Sequence, residues 1–211
     1  MDTSPPRPPR WGMARSSTRS LWTAQLRDGL PTTTKKATGR AAKSPTKAMT
    51  ATRGAKAIIL GIDPSLRGTG LAVVDTRGSA PRLLASLTLK LAPKLEPYEC
   101  LGQIADAVES LAKEHGVTEA AIEETIYVQN FRTAQAMGAS RGAALSVLAR
   151  LGAAVREYAP KRIKMAITGN GAASKEQVGR MVKSVLGLAA ELPLDESDAA
   201  AVALCHAYNA R

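Results

Sequence analysis

Aromatic residues are nearly missing from this chain, at 3% of its 211 positions, although 45% of residues are hydrophobic. A core built from this composition must be filled by Ala, Leu, Val and Ile rather than by large rings. Cysteine is equally scarce: Cys100 and Cys205 form neither a CxxC pair nor a disulfide framework, which excludes a disulfide-stapled scaffold and suits a reducing compartment, the cytoplasm. No apolar run approaches the roughly 20 residues needed to cross a bilayer, so a soluble protein is expected. Internal repeats are absent too.

What the chain has is an uneven charge. Residues 1 to 56 hold 12 Lys or Arg against two acids, Asp2 and Asp28, whereas the remainder holds 17 basic and 16 acidic residues. The excess of +11 therefore sits almost wholly in a segment rich in Pro, Ser, Thr and Ala, with runs such as Pro5-Pro6-Arg7-Pro8-Pro9 and Thr32-Thr33-Thr34-Lys35-Lys36. Such a composition buries too little apolar surface to offset the entropy of ordering it, so residues 1 to 56 are expected to be a disordered basic tail. A nucleic-acid tether is one use for it. A solvated leader is the other: Met13 and Met49 offer alternative starts, and the Arg- and Ser-rich, acid-poor stretch from Met13 to Arg27 has the texture of an organellar transit peptide.

From Ala57 to the end at Arg211 the pattern is that of one folded domain. Ala57-Ile58-Ile59-Leu60-Gly61-Ile62, ending in Asp63, is short, β-branched and bounded by turn residues, as a buried strand should be. Strands over Thr69 to Asp75 and Arg82 to Lys90 complete an antiparallel meander. Apolar residues at helical spacing predict a helix from Leu95 to His115, followed by a buried strand from Glu119 to Glu123. An Ala-rich helix from Thr133 to Gly152, a short strand near Val155 to Tyr158, and helices from Ser174 to Leu186 and Ser197 to Ala210 complete the reading. Three strands, then strands alternating with helices, imply an α/β fold: a mixed five-stranded sheet flanked by helices.

The candidate chemistry lies in acids at element ends. Asp63 stands where the first strand exits into Pro64, and Glu123 ends the fourth; if those strands are neighbours, both carboxylates emerge at one sheet edge. Asp195 and Asp198, three apart at the opening of the last helix, share a face. Taken singly, each has a structural use, as a turn residue or as a helix N-terminal acid matching the dipole. Glu124 follows Glu123, and strand alternation puts the two on opposite faces without saying which faces the site. Together the four would repel one another unless divalent cations neutralised them, and hard oxygen ligands suit Mg²⁺ or Mn²⁺. Two metals roughly 3.5 to 4 Å apart could activate water and stabilise the leaving oxygen in phosphodiester hydrolysis.

The ordered set Gly61-Ile62-Asp63-Pro64, Gly68-Thr69-Gly70, Ala121-Ile122-Glu123, Arg141-Gly142, Lys175 and Asp195-Glu196-Ser197-Asp198-Ala199-Ala200 resembles the RuvC family of Holliday-junction resolvases, from about Ala57 to Tyr208. The resemblance implies an RNase H-like nuclease domain acting as a homodimer. Each subunit would cut one of two like-oriented strands at a four-way DNA junction, in recombination and repair, with two Mg²⁺ (or Mn²⁺) per site and a branch-migration motor as a further partner. It implies that Asp63, Glu123, Asp195 and Asp198 are catalytic metal ligands, and that Lys164 and Lys175 contact DNA. Arg132 and Arg141 are further candidate phosphate contacts. Ser65 replaces the glycine usual after the first Asp-Pro, and Ile126, with Tyr127 after it, replaces a phenylalanine that stacks near the junction centre. The basic tail lies outside the resemblance. His206 falls on the last helix about two turns beyond Asp198 and is expected, with Cys205, to pack rather than to react.

Gly61-Ile62-Asp63 followed by Gly68-Thr69-Gly70 is also similar to the phosphate loop of actin-like ATPases, but the folded region has no room for that fold's duplicate. A nuclease acting on RNA or on other branched DNA, or a silent DNA-binding relative, is the remaining alternative. The full set of acids argues against silence.

Overall fold

The computed structural model describes residues 56–124 and 130–210. The expected tail, but for Lys56, and the Ile126-Tyr127 pair lie outside them. Strands β1 (Ile58–Asp63), β2 (Gly68–Asp75) and β3 (Arg82–Lys90) lead into helix α1 (Pro97–His115), strand β4 (Glu119–Glu123), helix α2 (Phe131–Arg150) and strand β5 (Ala154–Tyr158). Three helices follow: α3 (Pro160–Thr168), α4 (Lys175–Leu186) and α5 (Leu194–Asn209). None of the described helices is long and apolar enough to cross a membrane.

The strands form one sheet in the order β3-β2-β1-β4-β5. The meander β1-β2-β3 is antiparallel, and β4 and β5 add in parallel, because each is reached by a helical crossover. This is the mixed five-stranded sheet expected. Alternation along the strands sorts its apolar residues to two faces. Leu60, Ile62, Leu71, Val73 and Ile122 pack with Ile104 and Val108 of α1 and Val147 and Leu148 of α2. Ile59, Ala72 and Ala121 pack with residues of α3, α4 and α5, among them Ile163, Val178, Ala199 and Ala203.

Helix ends shift by up to three residues from the sequence reading, and two differences bear on the site. Helix α3 was not expected: it is only nine residues long, and Pro160, Lys161, Arg162 and Lys164 mask the Ile163/Ile167 spacing that buries it on the sheet. Helix α5 begins at Leu194 rather than Ser197, since Pro193 occupies the cap position and its carbonyl accepts from the Ser197 amide at 2.8 Å. Ser197 is consequently buried inside the first turns rather than capping them.

The seat of α5 on the sheet is unusually close, and glycine makes it so. A Cβ at Gly61 would lie 2.0 Å from the Ala199 carbonyl oxygen, and one at Gly70 would lie 2.0 Å from that of Asp195. Neither carbonyl can move without moving the helix. Ala199, Ala200 and Ala203, all fully buried, complete a contact in which backbone rather than side chain meets the strands. Overpacking of this kind costs about 1–3 kcal/mol or more. Gly70→Ala should therefore lower stability by at least that amount in a denaturant or thermal melt, well beyond an Ala substitution at the exposed Gly102, where a Cβ would meet no neighbour within 4 Å.

Candidate active site

Parallel pairing of β1 with β4 aligns Ile62 with Ile122, so the next residues, Asp63 and Glu123, leave adjacent strands at the same edge. Both share strand parity with Ile59 and Ala121, which belong to the face covered by α5. Glu124 comes after β4, exposed, with its amide donating to the Tyr158 carbonyl at 2.9 Å. Of the two glutamates, Glu123 lines a pocket with Asp63 and Glu124 does not.

Asp63, Glu123 and Asp198 line one pocket of about 110 Å³, together with Lys164 and Lys175. Asp195 does not line it: it lies over the start of β2, where its Oδ2 would be 3.7 Å from a Cβ on Gly68, although its charge still reaches Asp63. Lys175, first residue of α4, is presented by the Ser174 cap, whose Oγ accepts from the Gln177 amide at 3.3 Å. Its Nζ lies 2.6 Å from Asp198 Oδ2. Lys164 comes from α3, the helix hidden in the sequence.

The electrostatics are those of crowded like charges. Burial first, then the negative charges of Glu123 and Asp198, raises the Asp63 pKa from its ordinary 3.8 to about 7. Burial and Asp198 raise Glu123 as well, against a hydrogen bond with Asp63 that favours the Glu123 carboxylate. The bond to Asp198 in turn raises Lys175. The Lys175 ammonium on Asp198 places one positive charge among these carboxylates. Among the described residues no three His, Cys, Asp or Glu side chains form a ready metal-ligating group. The donor set itself, carboxylate oxygens whose repulsion a cation would relieve, fits a hard divalent ion.

The other cations divide by exposure. Arg132 is exposed in the first turn of α2, behind the Asn130 cap. Arg141 has protein partners instead: its side chain, only 15% exposed, donates to the Glu123 carbonyl at 2.9 Å and pairs with Glu157 of β5. That tie holds the strand end carrying Glu123, and partners lying on either side of Arg141 in the chain, a backbone carbonyl before it and a carboxylate after it, leave no local signal. The turn after Asp63 is closed by Thr69, whose buried hydroxyl accepts from the Ser65 amide at 3.3 Å and donates to the Ser65 carbonyl. No described residue other than glycine has positive φ, so serine sits at position 65 without strain. His206 and Cys205 are buried. The His206 ring bridges the Tyr158 hydroxyl at 2.8 Å and Glu119 at 2.6 Å, and burial pushes the Cys205 thiol up to about 12.

Comparison with known proteins identifies the family. Residues 59–206 match the family model described as crossover junction endodeoxyribonuclease RuvC. The chain is 45% identical over 151 residues to the crossover junction endodeoxyribonuclease RuvC of Halorhodospira halophila, covering 72% of this chain and 90% of the relative. It is 42% identical, over the same shares, to that of Hyphomonas neptunium. Among solved structures, T. thermophilus RuvC in complex with Holliday junction substrate superposes with a TM-score of 0.70 at 34% identity, covering 74% of this chain and 95% of that one.

The raised Asp63 pKa sets a stability test. The unfolded chain ionises this group near 3.8 and the folded one near 7, so the folded state holds the extra proton and loses stability as pH rises across that window. Above it the penalty is complete, up to a few kcal/mol at about 1.4 per unit. In a chelator, Asp63→Asn should therefore melt above wild type at pH 8, by roughly 10 °C, and level with it at pH 3.5. Saturating Mg²⁺ should close the gap by stabilising wild type. A gap independent of pH would contradict the electrostatic account.

Proposed function

The chain belongs to the RuvC family of crossover junction endodeoxyribonucleases, and from that premise we propose that it resolves four-way DNA junctions by metal-dependent phosphodiester hydrolysis, in recombination and DNA repair. The observation that carries the reading is the convergence of Asp63, Glu123 and Asp198 from two strands and a helix into one open pocket with two lysines at its rim. Asp195, one turn before Asp198, would complete the ligand set. Mg²⁺ is the expected ion, with Mn²⁺ as a substitute and two per site. When bound, these ions would supply a water of lowered pKa and neutralise charge on the leaving oxygen.

The remaining roles belong to the chain's own side chains. Lys164 and Lys175 would take phosphate oxygens. The 61% exposed Lys175 side chain can release Asp198 to do so as cations replace it there. Arg132 would hold a duplex arm, and Ile126 and Tyr127, between β4 and α2 in sequence, would meet the junction centre. Arg141 we assign to holding the Glu123 strand end, and only through it to DNA. These phosphate contacts position the substrate and carry no sequence information.

Two cuts on like-oriented strands need two sites, hence a homodimer. Helix α2 supports this: it buries Ser140, Ala144, Val147 and Leu148 on its own domain but leaves Gly138, Ala139 and Gly142 exposed, small residues that let a second helix approach. A branch-migration motor is a further expected partner. Buried free thiols at Cys100 and Cys205 fit a cytoplasmic protein.

Purified protein should have the mass of two chains by light scattering and should cut a four-way junction in paired incisions with Mg²⁺, in preference to linear duplex or structured RNA. Asp63→Asn and Asp198→Asn should each lower cleavage by at least about 100-fold while junction affinity stays within a few-fold, since the acids hold metal rather than DNA. Substantial cleavage by both variants would refute the assignment.

For residues 1 to 56 we propose the tether role. If a few of its 12 Lys and Arg neutralise phosphates, deleting the segment should flatten the slope of log affinity against log salt by roughly two to four, at about −0.9 per phosphate. Cleavage position and rate at saturating enzyme should not change. An unaltered slope would leave a targeting leader as the better account.

A further inference from the structure

Glu196 lies between the two acids of α5, yet its carboxylate is turned away from the pocket. Oε2 accepts a hydrogen bond from Ser86 Oγ at 2.5 Å and Oε1 one from Thr88 Oγ1 at 3.4 Å. Both hydroxyls belong to β3, on alternate residues and hence on the same face. An acid in the first turn of a helix is ordinarily satisfied by the helix dipole and solvent. Here it reaches across the sheet to a strand 110 residues earlier in the chain.

The register shows what this reach does. Ser86 pairs with Ala72, and Thr88 pairs with Gly70, the glycine on which the Asp195 carbonyl rests. The opening of α5 thus stands on three neighbouring strands. Asp198 shares the pocket with Asp63 of β1, Asp195 presses on β2, and Glu196 is tied to β3. The contacts at Gly61 and Gly70 set how closely α5 approaches the sheet, and a roll of the helix about its own axis would carry Asp195 and Asp198 together relative to Asp63. The two hydrogen bonds from β3 to Glu196 stand against such a roll.

We propose that Glu196, through Ser86 and Thr88, is a positioning residue that sets the rotation of α5 and so holds Asp195 and Asp198 in register with Asp63 and Glu123 for divalent-cation binding. The inference rests on the nuclease reading above and adds a requirement for a group that touches neither metal nor DNA. Because misplacement of a reacting group by about 1 Å costs on the order of 100-fold, a modest roll is sufficient to matter.

The test compares Glu196→Ala, Glu196→Gln and the pair Ser86→Ala with Thr88→Val in the full-length protein. With no metal present, peptide hydrogen exchange around Ser197, whose amide donates to Pro193, should speed up in Glu196→Ala and in the hydroxyl pair. With metal, both should cut junctions about 10- to 100-fold more slowly and need more Mg²⁺ for half-maximal rate, with junction affinity unchanged. Glu196→Gln keeps an acceptor oxygen and should recover most of the rate. Combining Glu196→Ala with the hydroxyl pair should cost no more than either alone, because they remove one interaction. If Glu196→Ala fails to fold, the hydroxyl pair decides. Wild-type metal dependence in Glu196→Ala, or a Gln variant as impaired as Ala, would overturn the proposal. If wild type itself leaves junctions intact, the nuclease reading fails, while the exchange comparison still judges the tie.

Discussion

Backbone-to-backbone seating of α5 on β1 and β2 is the constraint from which the rest of this structure follows. Helices on sheets normally stand off by the length of interdigitating side chains. At Gly61 and Gly70 there is no side chain, and the carbonyls of Ala199 and Asp195 occupy the space a Cβ would take. Small residues on the facing helix, Ala199, Ala200 and Ala203, are required by the same geometry. Where the helix backbone meets the strands there is no room for rings, and the aromatic Tyr158 packs instead beyond that contact, against His206 near the end of α5.

That closeness also creates the electrostatic problem. It brings helix-borne Asp198 into the pocket where the parallel β1–β4 pairing has already placed Asp63 beside Glu123. Within the pocket the Lys175 ammonium stands against Asp198. That exposed counter-charge is replaceable, unlike the carboxylates, which are fixed by strand register and helix seating. Fixed acids with exchangeable counter-charge suit a site that must accept cations and a polyanionic strand in turn.

Much of this was legible in the sequence, for physical reasons that also mark where reading stopped. Asp63 and Glu123 end short β-branched or apolar runs, whose period places them at strand ends without further knowledge. The glycines Gly61, Gly68 and Gly70 were visible as a motif, but not the helix pressed onto two of them, since nothing local records a contact more than a hundred residues away. Helix α3 was hidden because its cationic face outnumbers its two buried isoleucines. The start of α5 lies three residues before the Ser197 expected from the sequence, with Pro193 at the cap position. The burial of His206 between Tyr158 and Glu119 depends on β5 and β4 lying under the end of α5, a tertiary fact with no sequence period.

The two kinds of charged residue in the pocket are held with different stiffness. Asp63 and Glu123 sit on the central strands, and Glu123 is further held by Arg141 at its carbonyl; Asp195 and Asp198 sit on a helix tied to three strands. Lys175, by contrast, projects from the first turn of α4, exposed, and Lys164 from the short α3. A metal site requires ligands fixed to a fraction of an ångström, because small divalent ions tolerate little error in geometry. Phosphate contacts made by long lysine side chains tolerate several, and a junction arm must be admitted and released. On the proposed reading, acids on backbone-seated elements and cations on long side chains separate the part of the site that must not move from the part that must.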